Sequence, residues 1–212
     1  AALIPGSVKA LMACARRHPN AGVCGAMLLN ADGSFQASYG SFPGLWSEFL
    51  HLFSFRSILG DHTYPSHSWQ HSRVEKEVDW VGGACFLVRR AALGVVGFLD
   101  EGYEMYGEEL DWCRRMWQSG WKVIYCSQAR VIHHSGQSSL HIPAKKMLRI
   151  YKSKLRYFRK YDGKFVARCL AVMIRCSCFL KAGVLLFLNL FRSSDSRRNN
   201  WRIYWDVLWA KI

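Results

Sequence analysis

Asp79-Trp80-Val81-Gly82-Gly83-Ala84-Cys85-Phe86-Leu87-Val88-Arg89-Arg90 decides the fold class of this chain. Two apolar runs, Val78 to Val81 and Ala84 to Val88, flank a glycine pair, and short runs of this kind read as buried strands. Downstream, Glu108-Glu109-Leu110-Asp111 opens a helical stretch, and the apolar run Val123-Ile124-Tyr125-Cys126 precedes the pair His133-His134. This order predicts an α/β sheet with polar groups gathered at one edge, where open α/β sheets bind their ligands. Carboxylates and imidazoles handle protons and metals near neutral pH, so the stretch from Asp79 to Ser139 predicts an enzyme site.

The flanking sequence extends the same pattern. Pro5 to His18 carries Val8, Leu11, Met12 and Ala15 at helical spacing, and Pro5 suits a first turn. Val23 to Leu29 predicts a strand, Asn30-Ala31-Asp32-Gly33 a turn, and Ser34 to Tyr39 a returning strand. Gly44 to Phe55 predicts an aromatic helix, and Gly60 to Ser72 a loop of the sort that covers substrates. Arg89 to Leu93 starts a short helix, Glu108 to Ser119 a longer one ended by Gly120. Trp121 to Cys126 and Ala129 to His134 predict two further extended segments.

Each candidate residue has a plain structural reading beside its chemical one. Gly82 and Gly83 let a backbone come close to another group, or they simply mark a bend. Asp111 is placed to pair with Arg115 one turn on, and acids in a first turn are favoured by the helix dipole. Glu108 and Glu109 point about 100° apart, so the protein can hold one while the other faces a cleft. Neighbouring carboxylates also raise each other's proton affinity, which suits one of them to act as a base. His133 and His134 face opposite sides of an extended segment, so one of the two serves any given site.

The 212 residues, half of them apolar, suffice for one domain and an appendage. The net charge of +14 is unevenly placed: residues 1–139 hold 12 basic and 12 acidic side chains, residues 140–212 hold 17 and 3. A boundary near His141-Ile142-Pro143 therefore divides a neutral domain, residues 1–140, from a basic tail, residues 141–212, suited to an anionic partner. Eight cysteines without a Cys-x-x-Cys pair or an export signal predict reduced thiols in a cytoplasmic protein. Cys176-Ser177-Cys178 lies in an apolar helical stretch, where side chains two apart diverge, and does not suit zinc.

Within the tail, Lys145 to Lys160 interleaves eight Lys/Arg with Met147, Leu148, Ile150, Tyr151, Leu155, Tyr157 and Phe158, as in an amphipathic helix on an anionic membrane. Phe165 to Phe191 is long enough to span a bilayer, but Arg168, Arg175 and Lys181 interrupt it. Each central charge costs roughly 2.5 to 3.5 kcal/mol on insertion, against about 0.3 to 0.6 gained per strongly apolar residue. A helix lying in the interface is expected rather than one that crosses, with Trp201, Tyr204, Trp205 and Trp209 at the headgroup level. The other reading is a set of helices packed on the domain.

These motifs together resemble family 2 glycosyltransferases, in particular their rhamnosyltransferase-like branch. The resemblance is carried by Asp79 to Arg90, Val96-Gly97-Phe98-Leu99-Asp100-Glu101, Tyr106-Gly107-Glu108-Glu109-Leu110-Asp111-Trp112-Cys113-Arg114-Arg115, Gly120-Trp121 and Val131 to Ser139. Pro5-Gly6-Ser7-Val8 and Val23 to Gly33 extend it, so that it covers residues 1–160. It implies a partial GT-A sheet, Rossmann-like, followed by basic and apolar helices. It also implies inverting transfer of a sugar, such as rhamnose, from a nucleotide-sugar to a hydroxyl acceptor in bacterial surface polysaccharide synthesis, with Mg2+ or Mn2+ as cofactor.

The family's base is the second acid of a Glu-Asp pair, which falls on Glu109, with Glu108 beside it. Glu in place of Asp moves the carboxylate by about 1.5 Å. The resemblance puts His133 near the metal and diphosphate, and Gly82, Gly83 and Ala84 beside the substrates, with Trp80 as a candidate sugar-stacking ring and Asp111 as a further substrate contact. Trp80 also reads as core. The family's Asp-x-Asp is absent from this sequence, and the chain begins at Ala1, where the segment preceding it would carry that motif; the expectation is a C-terminal fragment that is inactive alone.

The expected partners are a nucleotide-sugar donor, a lipid-linked or polysaccharide acceptor, and the anionic inner face of the cell membrane. The competing function is a basic, non-catalytic module binding membrane or nucleic acid; the sequence has no helix-turn-helix, zinc-finger or RNA-binding signature in favour of nucleic acid.

Overall fold

A computed structural model describes residues 1–53, 74–134, 143–190 and 200–210. The N-terminal half runs β1 (Ala2–Leu3), α1 (Ser7–Arg17), β2 (Ala21–Leu29), β3 (Phe35–Gln36), β4 (Tyr39–Gly40) and α2 (Leu45–Leu52). There follow β5 (Lys76–Glu77), β6 (Trp80–Val81), β7 (Phe86–Val88), α3 (Arg90–Val96), α4 (Glu108–Gln118) and β8 (Lys122–Ile132). Three helices close the chain: α5 (Pro143–Tyr161), α6 (Gly163–Leu190) and α7 (Asn200–Trp209). The fold is mixed α/β, as expected. The loop from Gly60 to Ser72 and the motif Ser135 to Ser139 lie outside the described residues, as does part of the boundary at His141 to Pro143.

Every residue of β2 is buried, so its side chains are covered on both faces, as in the central strand of an α/β sheet. β2 pairs in parallel with β8, from Ala21 opposite Lys122 to Leu29 opposite Ile132. On its other side β2 takes β7 at Val23–Gly25 and the hairpin partner β3 at Leu28–Leu29, both antiparallel. β8 receives β1 and β5 on its far edge. The two extended segments expected between Trp121 and His134 are one strand. Its ladder skips between the Ala26–Cys126 and Met27–Arg130 pairs, a bulge that accounts for the break in apolar pattern at Ser127-Gln128.

Helix α1 lies on this sheet through Leu11 and Cys14, which join Cys24, Ala26, Leu28, Ile124, Cys126 and Val131 in one apolar cluster. Arg89 fixes the helix end: its guanidinium donates to the carbonyls of Ala15 (2.6 Å), His18 (3.2 Å) and Ala21 (2.8 Å). The His18 carbonyl also accepts from Ala21 N at 2.9 Å, so the arginine braces the turn between the helix and the strand.

The glycine demanded by close packing is Gly25. A Cβ there would stand 2.4 Å from Val81 Cβ, because β6 crosses directly against β2. At Gly82 and Gly83 the nearest neighbours of such a Cβ are 3.5 Å away, an ordinary contact.

Residues 1–44, 74–102 and 108–134 form one compact unit; a second gathers residues 45–53 and 103–107 with the C-terminal helices. In the second unit Lys154 Nζ donates to both carboxylate oxygens of the buried Glu48, at 2.8 and 2.6 Å, tying α5 to α2. Ser177 Oγ donates to Leu52 O at 2.7 Å, satisfying a terminal carbonyl of α2 from α6.

On α6, Ala167, Leu170, Ile174, Ser177, Cys178 and Ala182 recur at helical spacing and are buried. The opposite face exposes Phe165, Val172, Phe179, Leu180, Val184 and Phe187. Residues Gly163–Asn189 are long and apolar enough to cross a membrane, with 28% of the most apolar window buried.

Candidate active site

Helix α4 starts abruptly. Tyr106 (φ +68°) and Gly107 (φ +96°) both adopt left-handed backbone immediately before it, a conformation costing a non-glycine residue roughly 1–2 kcal/mol. The first turn then presents Glu108, Glu109 and Asp111 where the helix dipole favours negative charge. Leu110, Trp112, Cys113 and Met116 anchor the buried side, and Trp112 Nε1 donates to Gly97 O at 2.8 Å.

The three acids have separate surroundings. Asp111 is fully buried, and Arg115 Nε donates to its Oδ2 at 2.9 Å. The same guanidinium donates to Val96 O (2.6 Å) and Phe98 O (2.7 Å), so the pairing expected from the i, i+4 spacing also anchors the loop ahead of the helix. Glu108 is half-buried, and its Oε2 is buried with no hydrogen-bond partner among the described residues. Glu109 is half-buried against the glycine segment: a Cβ on Gly83 would lie 3.5 Å from Glu109 Cβ and 3.8 Å from its Cδ.

The rest of the glycine segment is tied to β2. Gly82 N donates to Ser38 O at 2.7 Å, while Leu28 N reaches Ser38 Oγ at 3.4 Å. Ala84 packs on the apolar cluster under α1. Trp80 is 6% exposed, its ring lies against Gly40 and its Nε1 donates to Ser41 O at 3.1 Å. These surroundings give Trp80 the packing role.

At the end of β8, His133 N donates to Leu29 O at 2.8 Å, so the parallel pairing continues past the strand itself. Gln36 then holds His133 at two points. Its Nε2 donates to His133 O (3.1 Å) and to Asn30 Oδ1 (2.8 Å), and its Oε1 stands 2.6 Å from His133 Nδ1. The carbonyl of His133 can only accept, which fixes the amide orientation and makes Nδ1 the donor to Oε1. Nε2 of the neutral ring therefore keeps its lone pair.

The turn supporting Gln36 is itself braced, since Asp32 Oδ1 accepts from Ser34 N (2.9 Å) and Ser34 Oγ (2.6 Å). Burial, with His134 beside it, holds the His133 pKa below its usual value near 6.5. His134 is exposed, whereas His133 is half-buried.

The structure thus connects the acid and the imidazole through a string of contacts: Glu109 against Gly83, Gly82 on Ser38, and Ser38 two residues from Gln36, which holds His133. All six residues belong to one unit, at the end where β2 and β8 finish. Sequence reasoning missed Gln36 and Ser38. The usable signal was the Asn30-Ala31-Asp32-Gly33 turn, whose hairpin register sets Gln36 opposite Leu28.

No protein-family model matches the chain. It is 32% identical to the N-acetylglucosaminyl-diphospho-decaprenol L-rhamnosyltransferase of Mycobacterium tuberculosis, in each of two strains, over 89% of this chain and 62% of that protein. It is 31% identical to the rhamnosyltransferase WbbL of Escherichia coli K12 over 39% of this chain and 31% of that protein. The chain therefore spans less than two thirds of the length of these relatives. Over most of its own length it is similar to proteins named as rhamnosyltransferases.

Proposed function

We propose that this chain carries the catalytic carboxylate of an inverting family 2 glycosyltransferase of GT-A fold. The sugar transferred is L-rhamnose, and the acceptor is a hydroxyl of a sugar held on a lipid diphosphate. The observation that carries this reading is the packing of Glu109 against Gly83, with a chain otherwise similar to a diphospho-decaprenol rhamnosyltransferase.

A Cβ on residue 83 would sit in ordinary contact with Glu109 and occupy that flank; glycine leaves it to the incoming acceptor. Glu109 takes the acceptor proton as the hydroxyl oxygen bonds to the anomeric carbon, while the bond from that carbon to the diphosphate breaks on the opposite face. Asp111 and Arg115 hold the start of α4 rigid, which keeps the base in position.

The side chains also suit a divalent cation: His133 offers Nε2 with its lone pair, and Glu108 has a buried oxygen without a donor among the described residues. His133 would hold Mg2+ or Mn2+, and Glu108 is a second candidate. Such an ion, when bound, offsets negative charge on the departing diphosphate.

In this reading the enzyme works at the inner membrane face, beside a lipid-linked acceptor. The exposed apolar face of α6 and the basic residues of α5 support this. So does a cavity of about 490 Å3 lined by Arg175, Phe179, Trp205, Leu208 and Trp209, which combines apolar walls with a cation. The test is transfer of labelled L-rhamnose from a nucleoside-diphosphate donor to an N-acetylglucosaminyl-diphospho-lipid in membranes of cells producing the full-length gene product that contains this chain. Labelled lipid product supports the reading, and its absence with an active donor present overturns it.

A further inference from the structure

Away from this rim, three cysteines that share no sequence motif converge beneath α1. Cys14 comes from the helix, Cys24 from β2 and Cys126 from β8. All are free thiols and buried, and both Cys24 and Cys126 lie in thiol hydrogen-bond contact with Cys14. Glu75, in the segment leading to β5, closes the group: the ligand atoms of Cys14, Cys126 and Glu75 all lie within 4.8 Å of one another.

The geometry points to a site for a thiophilic divalent cation, zinc in its natural form, held by Cys14, Cys126 and Glu75, with Cys24 as the fourth ligand. Tetrahedral zinc with Zn–S near 2.3 Å separates its sulfurs by about 3.8 Å, so Cys14, Cys126 and Glu75 need only small adjustments, while Cys24, in contact with Cys14 but outside that 4.8 Å group, has to turn toward the ion to serve as the fourth ligand. Two or three sulfurs with one carboxylate select zinc or cadmium over magnesium or calcium.

The carboxylate is already braced as metal-binding carboxylates are. Arg17 Nη2 donates to Oε2 at 2.6 Å, and His18 Nε2 lies 2.8 Å from Oε1. Arg17 Nε also donates to Oε1, at 3.3 Å, so these contacts orient Glu75 and leave the further lone pair on Oε2. Coordination would release the thiol protons to solvent and pin α1, β2, β8 and the approach to β5 together. Of these elements, β2 leads through its hairpin to Gln36 and β8 ends one residue before His133, so the ion would stabilise the frame that carries both without touching them.

The probe is Cd2+ added to the reduced full chain, followed by the thiolate-to-cadmium absorption band in the ultraviolet and by Tm. One equivalent should produce the band and raise Tm. Cys126→Ala should remove most of the band. Glu75→Gln, at a partly exposed position that leaves the buried sulfurs in place, should keep the band and weaken binding by about tenfold or more. Cys176→Ser, at an exposed thiol on α6, should change nothing. Absence of a band in the reduced parent, a band that survives Cys126→Ala, or unchanged affinity in Glu75→Gln would overturn the site.

Discussion

Gln36 Oε1 stands 2.6 Å from His133 Nδ1, while the same amide donates from Nε2 to the His133 carbonyl at 3.1 Å. One side chain thus sets both the tautomer of the imidazole and the position of its backbone. Metal-binding histidines are commonly prepared in this way, by a partner on the nitrogen that does not bind.

Replacing Gln36 with Leu removes both contacts and nearly preserves volume. The expected result is a mixture of His133 tautomers in 15N NMR and a loss of Mn2+ affinity of about 10- to 100-fold. An unchanged Nδ1–H tautomer would show that Gln36 does not set it.

The lowered pKa of His133 has a definite effect on stability. Burial disfavours the charged ring, so the unfolded chain takes up its proton at higher pH than the folded one. Stability from this group is complete above the unfolded value near 6.5 and falls as pH drops from there through the folded value. Tm measured across pH 5 to 7.5 should therefore fall more steeply toward acid in the parent than in His133→Asn. Equal slopes would mean that His133 titrates as it does in the unfolded chain.

Gly25 should be the least replaceable glycine of the sheet. Gly25→Ala sets a methyl 2.4 Å from Val81 Cβ, and overpacking of this kind costs typically about 1–3 kcal/mol or more. Val81→Ala should not rescue it, because the nearest clash is with the Cβ that alanine keeps. Gly82→Ala, with 3.5 Å to its nearest neighbour, should fold normally. Chemical denaturation of the three variants checks the order.

These glycines mark where the sequence was legible and where it was not. Local signals carried far: the helix α1, the Asn30–Gly33 turn, the acids opening α4 and Gly120 closing it (φ +81°) all correspond to the observed elements, although the buried face of α1 runs through Leu11 and Cys14 and leaves Val8 and Met12 exposed. Contacts between distant residues left no such signal. Gly82-Gly83 drew attention as a pair, yet the close approach falls on an isolated glycine inside a nine-residue strand, visible only once β6 is known to cross β2.

In the same way, Trp80 beside two glycines suggested a stacking ring, while its partners Gly40 and Ser41 lie about forty positions earlier. The bulge in β8 hid one strand as two, since an extra segment breaks the apolar alternation that periodicity relies on. Asp111 was the opposite case, because its partner stands one helical turn away.

Membrane association should depend on the outward face of α6. Phe179 and Val184 are 61% and 57% exposed, so charges there leave the buried side of the helix intact. Phe179→Asp with Val184→Asp should move the protein from the membrane pellet to the supernatant after cell fractionation, since a carboxylate in the apolar layer costs about 2.5–3.5 kcal/mol at its centre. Retention in the pellet would assign the attachment to another surface.

The most direct test of the account is Glu109→Gln, which keeps the shape of the side chain beside Gly83 and removes its basicity. Rhamnose transfer in membranes should fall by about 10²- to 10⁴-fold, the usual contribution of a general base, with donor affinity nearly unchanged. Transfer by the glutamine variant at close to the parental rate would contradict the assignment of Glu109 as the base.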